Sequence, residues 1–150
     1  MRKLICLLAL ALFAPAASLA EDRATTKDAE KMVHKAVEYL KKNGKEKAFA
    51  AFSDPAGPFA YRDLYVFAID YSGVVVAHPK KELIGKNDYN RKDSTGKLFT
   101  REMIEGAKAS GSGWVEYRFE NPANGKTEIK VAYYEGQDGF FVGCGAFKPQ

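Results

Sequence analysis

Apolar residues recur every three or four positions across residues 25–43, which predicts an amphipathic helix. Thr25 stands where a helix cap is expected, and Asp28 follows three positions later as the second half of a weak capping box. Gly44 can end the helix in a left-handed conformation. A second, short helical stretch is predicted over residues 45–52. The first third of the chain is therefore expected to be helical.

From residue 64 onwards the pattern changes to short runs of β-branched and aromatic residues. Residues 64–70 and 74–78 are two such runs, and the three residues between them favour a turn, so a β-hairpin is predicted. Both runs are apolar on both faces, which indicates a sheet covered on both sides or one with a pocket on one side. The remaining predicted elements are a helix at 98–109 and strands at 113–120, 127–135 and 139–147.

A polar segment without periodicity, residues 79–97, separates the hairpin from the helix at 98–109. A long irregular segment inside a compact domain is more often a binding loop than a passive connection. The order of elements predicts one α+β domain without an internal repeat. We expect a five-stranded antiparallel sheet with the helix at 25–43 packed on one face.

Residues 1–20 have the features of a cleavable secretory signal. Arg2 and Lys3 precede an uncharged apolar run at 4–13, and small residues follow it. The run is shorter than the roughly 20 apolar residues that span a bilayer, although a membrane anchor is the alternative interpretation. We therefore expect a periplasmic or secreted protein whose mature domain covers residues 21–150.

Charge and cysteine content exclude several classes of protein. Removal of Arg2 and Lys3 from the 23 basic residues leaves 21 against 19 acidic ones, and the basic residues are scattered, so no nucleic-acid interface is expected. After cleavage Cys144 is the one cysteine left, in an apolar stretch that predicts an inert buried thiol, with dimerisation through the thiol as the alternative. His34 and His78 are far from it in sequence, so neither a metal site, a cofactor nor an enzyme is expected.

Several segments, taken in order, match a known family pattern. They are residues 66–79, residues 83–87 with 93–97, residues 111–117 with 121–122, and Lys130 with Tyr133. Together these segments resemble the single Cache domain of type 2, a PAS-like extracellular or periplasmic sensor module, over about residues 28–147. The resemblance implies a PAS-like fold with a pocket for small ligands, often short organic acids, between the sheet and the segments that cross it.

Modules of this family usually lie between two membrane helices of chemoreceptors or sensor kinases. This chain ends at Gln150 directly after its last predicted strand, so we expect a stand-alone module. Such a module would serve sensing, including chemotaxis and other signal transduction, or uptake, through a membrane receptor or kinase partner. The resemblance also implies a homodimer through the N-terminal helix. A protein-interaction or dimerisation module without a small ligand is the alternative function.

Polar and aromatic residues on the predicted strands are the candidates for a ligand site. The six candidates are Phe67, His78, Trp114, Tyr117, Lys130 and Tyr133. A lysine in the middle of an apolar strand costs free energy unless it reaches water or an anion, and an ammonium group would suit a carboxylate ligand. His78 ends the second strand, where its imidazole can donate and accept hydrogen bonds. An exposed strand lysine and a structural histidine are the respective alternatives.

The three remaining polar aromatic candidates have core packing as their default role. Residues three apart on a strand point to opposite faces of a sheet. Trp114 and Tyr117 are therefore expected to lie on different faces, and so are Lys130 and Tyr133. Part of the candidate set consequently belongs to the core rather than to a pocket, whereas Phe67 is expected to supply a pocket wall.

Overall fold

The computed structural model describes residues 23–148, so the predicted signal peptide lies outside the described residues. The α+β class is confirmed, and each predicted strand and helix is present to within two residues at its ends. A two-residue strand, β1, adds to the five that the sequence predicts. The helices are α1 (Thr26–Asn43), α2 (Lys45–Phe52) and α3 (Phe99–Ser110). The strands are β1 (Ala60–Tyr61), β2 (Leu64–Asp70), β3 (Val75–Ala77), β4 (Ser112–Glu120), β5 (Thr127–Gln137) and β6 (Phe140–Phe147).

Helix α1 begins and ends at the residues that the sequence indicates. The Asp28 N–H donates to Thr25 Oγ1 at 3.2 Å, and the Thr25 N–H donates to Asp28 Oδ2 at 3.0 Å. These reciprocal bonds satisfy N–H groups that a helix start otherwise leaves without a partner. Gly44, with φ 82°, ends the helix. The side chains that α1 buries against the sheet are Ala29, Val33, Ala36, Val37 and Leu40.

The sheet is antiparallel throughout, with β1 and β3 along one edge of β2, followed by β6, β5 and finally β4. Helices α1 and α2 cover one face, and α3 with residues 79–97 covers the other. Alternation along β2 sends Leu64, Val66 and Ala68 towards α1. The other face receives Tyr65, Phe67 and Ile69. The prediction that both faces of the hairpin strands are covered is therefore confirmed.

Residues 79–97, which we call the crossing loop, extend from one edge of the sheet to the other. At the β3 edge, the Val75 N–H donates to the Lys86 carbonyl oxygen at 2.9 Å. At the β4 edge, the Arg118 N–H donates to Asp93 Oδ2 at 2.9 Å. The loop thus occupies backbone positions that an additional strand would otherwise pair with.

An ion pair between a half-buried arginine and a buried carboxylate joins the start of the described chain to the start of β5. Arg23 Nη1 and Nη2 donate to Glu128 Oε2 and Oε1 at 2.6 and 2.9 Å. The Nδ2 groups of Asn121 and Asn124 each donate to the same carboxylate at 2.9 Å. Glu128 is only 2% exposed. Hydrogen bonds, of which the Arg23 bond has the largest effect, hold the pKa of Glu128 at about 2.

The thiol of Cys144 is fully buried in β6, as the apolar sequence around it predicts. Burial raises the pKa of this thiol to about 12, so it stays protonated and unreactive at neutral pH. Within residues 23–148, no helix combines the length and the apolar character that a bilayer span requires.

Candidate ligand-binding site

A narrow pocket, which we call the inner pocket, lies between the sheet and the crossing loop on the face covered by α3. Its cavity is about 20 Å³, and a single water molecule needs roughly 10–15 Å³. The pocket therefore has room for one water-sized group in this conformation. A larger ligand requires the loop or the lining side chains to move.

Four of the six predicted site residues line the inner pocket. They are Phe67 on β2, His78 after β3, Tyr117 on β4 and Lys130 on β5. The register of the sheet explains part of this arrangement, because Tyr117 is paired directly with Lys130 across β4 and β5. Directly opposed residues share a face of the sheet, so both side chains reach the same pocket.

The ammonium of Lys130 lies among aromatic rings. Its Nζ is 3.9 Å from the centroid of the Tyr65 ring, and the rings of Phe67, Phe119 and Phe147 have centroids 5.2–5.4 Å away. The residue is 1% exposed. No hydrogen bond or ion pair joins the ammonium to any residue between 23 and 148. Ring faces attract a cation at these distances, but more weakly than a carboxylate does.

Burial shifts the protonation of Lys130 into the physiological range. Loss of hydration disfavours the charged form and lowers the pKa of the amine to about 7. The group therefore changes charge near neutral pH, unlike a lysine in water. An anion that entered the pocket would favour the charged form and raise the pKa again.

Two glycines of β6 make room for the pocket side chains. A Cβ atom at Gly145 would lie 2.6 Å from Lys130 Cε. A Cβ atom at Gly143 would lie 2.7 Å from Phe67 Cζ. Both separations are far below van der Waals contact, so any larger residue in these positions would displace the neighbouring side chain.

His78 is held as a neutral imidazole. The Lys80 N–H donates to His78 Nδ1 at 2.9 Å, so the proton of the neutral ring is on Nε2. The His78 backbone N–H donates to Ser53 Oγ at 3.2 Å. Burial, with the charge of Lys130 as the next cause, lowers the pKa of His78 to about 3. The ring therefore offers the pocket a hydrogen-bond donor without a charge.

Several lining residues were not among the sequence candidates. Tyr65 lies two positions before Phe67 on the same strand, so strand alternation alone could have identified it. Asp88 and Arg91 come from the crossing loop and form an ion pair, with Arg91 Nη1 2.9 Å from Asp88 Oδ2. Their only signal in the sequence is their position in a segment expected to bind. Burial raises the pKa of both Tyr65 and Tyr117, so each hydroxyl remains a donor at neutral pH.

Trp114 and Tyr133 lie on the opposite face of the sheet and do not line the inner pocket. Tyr133 is buried against α1, with its ring centroid 5.5 Å from that of His34. Trp114 packs 5.0 Å from Tyr133 and is 43% exposed. The prediction that each pair of residues three apart splits between the two faces is confirmed.

The inner pocket thus combines apolar walls with several hydrogen-bond donors. The donors belong to Lys130, Tyr65, Tyr117 and His78, while the Asp88 carboxylate is already paired with an arginine. Such a set suits an anionic group with several acceptor lone pairs. Within residues 23–148, no three His, Cys, Asp or Glu side chains come together to hold a metal ion.

The family model for single Cache domain 2 matches residues 8–147, so the chain belongs to that family. Domains of this family are sensory, non-catalytic modules. The chain is also similar to the solved structure of a methyl-accepting chemotaxis protein from Vibrio parahaemolyticus. The TM-score is 0.70 at 23% identity, over 81% of this chain and 86% of the other.

Two further solved structures share this fold. One is the periplasmic sensor domain of a chemotaxis protein, with TM-score 0.63 and 21% identity over 83% of this chain and 90% of the other. The second is a Cache chemosensory domain described for its recognition of carboxylic acids. It has TM-score 0.63 and 21% identity over 83% of this chain and 88% of the other. The PAS-like Cache fold expected from the sequence is therefore confirmed.

Proposed function

We propose that this protein is a periplasmic or secreted sensor-type module that reversibly binds a short organic acid or a similar anionic metabolite in the inner pocket. The observation that carries the proposal is the buried ammonium of Lys130, which lines the pocket without an anionic partner among residues 23–148. A buried charge costs free energy unless it is paired. A ligand carboxylate would supply the missing partner.

The other donors of the inner pocket complete a site for a carboxylate. Its two oxygens accept about four hydrogen bonds in total, whereas the lysine supplies one or two of them. Tyr65, Tyr117 and His78, which carry two hydroxyls and an Nε2–H, line the same pocket. Neutral donors beside one cation favour a singly charged acid, because a second carboxylate would find no second unpaired cation there.

The similarity to known proteins supports the class of ligand and the role. The Cache chemosensory domain described for carboxylic acid recognition shares the fold of this chain. Membership of a family of sensor modules supports binding rather than catalysis. We propose that the mature domain covers residues 21–150 after removal of the signal peptide. A membrane receptor or sensor kinase would then read the bound state, in chemotaxis, other signalling or uptake.

A homodimer through the N-terminal helix stays a prediction. The outward side of α1 is polar and carries both charges: Lys27, Lys31, Lys35, Lys41 and Lys42 are exposed, and so is Glu38, with Asp28 and Glu30 half-buried. The alternative function as an interaction module also stays a prediction.

A thermal-melt screen tests the proposal. The purified protein is heated with acetate, propionate, lactate or pyruvate, and with an amine and a purine for comparison. A ligand at 100 times its Kd stabilises by about 2.7 kcal/mol, and each kcal/mol raises the Tm by roughly 2–8 °C in a domain of this size. We expect a shift with at least one acid and none with the amine.

Two matched variants identify the group responsible. Lys130→Met keeps the length of the side chain and removes its charge, whereas Lys126→Met makes the same change at an exposed position in the β4–β5 turn. The shift should disappear in the first variant and persist in the second. An acid that stabilises Lys130→Met as much as the original protein would contradict the role of the lysine. If no acid raises the Tm of the well-folded protein, the proposal as a whole is contradicted.

A further inference from the structure

A second pocket of about 270 Å³, the outer pocket, lies beside the inner one. It is formed where β1, the start of β2, the end of β3 and the β4–β5 turn come together. Tyr65 and His78 line both pockets. The two cavities are therefore neighbours that share two aromatic side chains.

The outer pocket has rigid and mainly apolar walls. Pro55, Pro79 and Pro122 come from three separate loops, and Ala123 stands next to the last of them. Proline fixes its own φ, so walls of this kind lose little conformational freedom when a ligand binds. A largely preformed apolar cavity with a few polar groups is the usual form of a small-molecule site.

The two pockets differ in what they can hold. The inner pocket offers a cation and hydrogen-bond donors but only about 20 Å³, enough for a water-sized group. The outer pocket offers about 270 Å³ of mainly apolar space and lacks Lys130 in its lining. Its charged lining residues are Arg62 and Lys80, and Lys80 is paired with Glu120. A carboxylate suits the first, and the carbon body attached to it suits the second.

Side chains stand between the two cavities. The rings of Tyr65 and His78 touch edge to face, with centroids 5.0 Å apart, and Lys130 Nζ lies 3.9 Å from the centroid of the Tyr65 ring. Rotation about side-chain bonds moves such a ring without unfolding the strand that carries it. The ammonium is thus about one ring away from the outer pocket.

We propose that the outer pocket is the second compartment of the ligand site. This inference rests on the proposed function of the inner pocket and extends its ligand from a short acid to an acid with a larger non-polar body. The ligand is a monocarboxylic acid whose charged end contacts Lys130 and whose non-polar body fills the outer pocket. That body contains about six to ten carbon atoms, because a cavity of about 150 Å³ holds a benzene molecule.

The test compares two acids that differ in the size of their non-polar body. Acetate and 3-phenylpropionate are titrated into the purified protein by isothermal titration calorimetry. We expect 3-phenylpropionate to bind at least tenfold more tightly than acetate. Equal affinities for the two acids would overturn the inference.

Two variants assign the preference to the outer pocket. Ala123→Trp places a large ring at an exposed turn position that lines this pocket, and Ala123→Leu is a smaller version of the same change. Ala109→Trp is the matched control, since Ala109 is exposed at the end of α3 and lines neither pocket. We expect both Ala123 variants to weaken 3-phenylpropionate, by at least tenfold for tryptophan, and to change acetate by less than twofold.

The outcomes separate this inference from the function on which it rests. One outcome is that both acids bind through Lys130 while the Ala123 variants leave the affinity for 3-phenylpropionate unchanged, or lower the affinity for both acids equally. In that case the outer pocket is not part of the ligand site, and the proposed binding of an acid in the inner pocket is retained. If none of these acids or of the acids in the melt screen binds, or Lys130→Met binds them as well as the original protein does, the proposed function fails and the inference fails with it.

Discussion

The side chain of Lys130 crosses the backbone of Gly145 on the neighbouring strand. A Cβ atom at Gly145 would lie 2.6 Å from Lys130 Cε and 2.9 Å from its Cγ. Because β6 lies between β5 and β2, this course carries the ammonium from β5 to the ring of Tyr65, two strands away. The absence of a side chain at one position of β6 thus sets where the charge of the pocket lies.

Gly145→Ala should therefore destabilise the protein and displace the ammonium. An extra carbon in a well-packed interior costs about 1–3 kcal/mol, and the ligand acid should bind more weakly. The free energy of unfolding is measured in urea. In a Lys130→Ala background the main clash is absent, so the same substitution should cost less. An equal cost in both backgrounds would show that Lys130 does not lie over this glycine.

The protein should gain stability as the pH rises above neutrality, because of Lys130. Its pKa is about 7 in the folded protein and 10.5 in the unfolded chain, so between these values the unfolded chain binds the additional proton. Above pH 10.5 the amine is neutral in both states and its burial does not reduce the stability of the protein. As the pH falls from 10.5 to 7, the free energy of unfolding decreases by at most about 1.4 kcal/mol per pH unit.

Lys130→Met should flatten this pH dependence. Without the buried amine, the variant should also be more stable at pH 7, by about 1–3 kcal/mol. Urea unfolding of both proteins from pH 7 to pH 9 measures the difference in slope. Parallel curves would mean that the amine keeps an ordinary pKa in the folded state.

Binding of a carboxylate should weaken as the pH rises above about 7. The acid binds the charged ammonium, so above the pKa of free Lys130 each binding event takes up a proton. We expect the Kd to rise about tenfold per pH unit. Calorimetry in two buffers of different ionisation enthalpy detects the proton directly.

The other groups around the inner pocket do not account for such a dependence. His78 is already neutral above pH 3, and burial keeps the hydroxyls of Tyr65 and Tyr117 protonated. Asp88 and Arg91 are paired with each other. A Kd that stays constant between pH 6.5 and pH 8.5 would contradict binding of the acid to an amine with a pKa of about 7.

Glu128→Gln should make the protein less stable at neutral pH but not at low pH. The substitution weakens the bonds from Arg23, Asn121 and Asn124, which corresponds to a loss of about 1–3 kcal/mol. The carboxylate has a folded pKa of about 2 against 4.5 unfolded. Its contribution is therefore present above pH 4.5 and disappears as the pH falls towards 2.

Urea unfolding of Glu128→Gln and the original protein at pH 7 and pH 3 measures this change. The difference between the two proteins should shrink at the lower pH. Glu120→Gln is the matched control, because its ion pair with Lys80 is exposed to solvent and should change stability much less than the Glu128 substitution does. A difference at pH 3 as large as that at pH 7 would contradict the assigned pKa.

The elements of this fold were predictable because local signals agree with tertiary packing. The reciprocal cap at Thr25 and the left-handed stop at Gly44 define α1, and its apolar stripe is the face that packs on the sheet. Lys130 was recognisable as a candidate since an isolated charge in an apolar strand requires a partner, and the structure places it in the lining of the inner pocket. β1 has only two residues and carries too little pattern to be recognised.

The composition of the pocket was harder to predict, because it depends on pairing between distant segments. Which of Trp114 and Tyr117 shares a face with Lys130 follows from the register of β4 on β5, and the turn between these strands sets that register. Asp88 and Arg91 lie in an irregular loop whose path is fixed by contacts with both sheet edges. Local periodicity contains no information about either relationship.

Because the crossing loop covers both edges of the sheet, opening of the inner pocket should also change how readily the protein aggregates. The same segment covers backbone groups of β3 and of β4, so a displacement large enough to admit a metabolite would bare strand edges on both sides. Exposed strand edges can form β-sheet hydrogen bonds with strands of other molecules. The empty, opened form should consequently be the aggregation-prone one, and a bound acid that keeps the loop closed would act as a stabiliser of concentrated solutions.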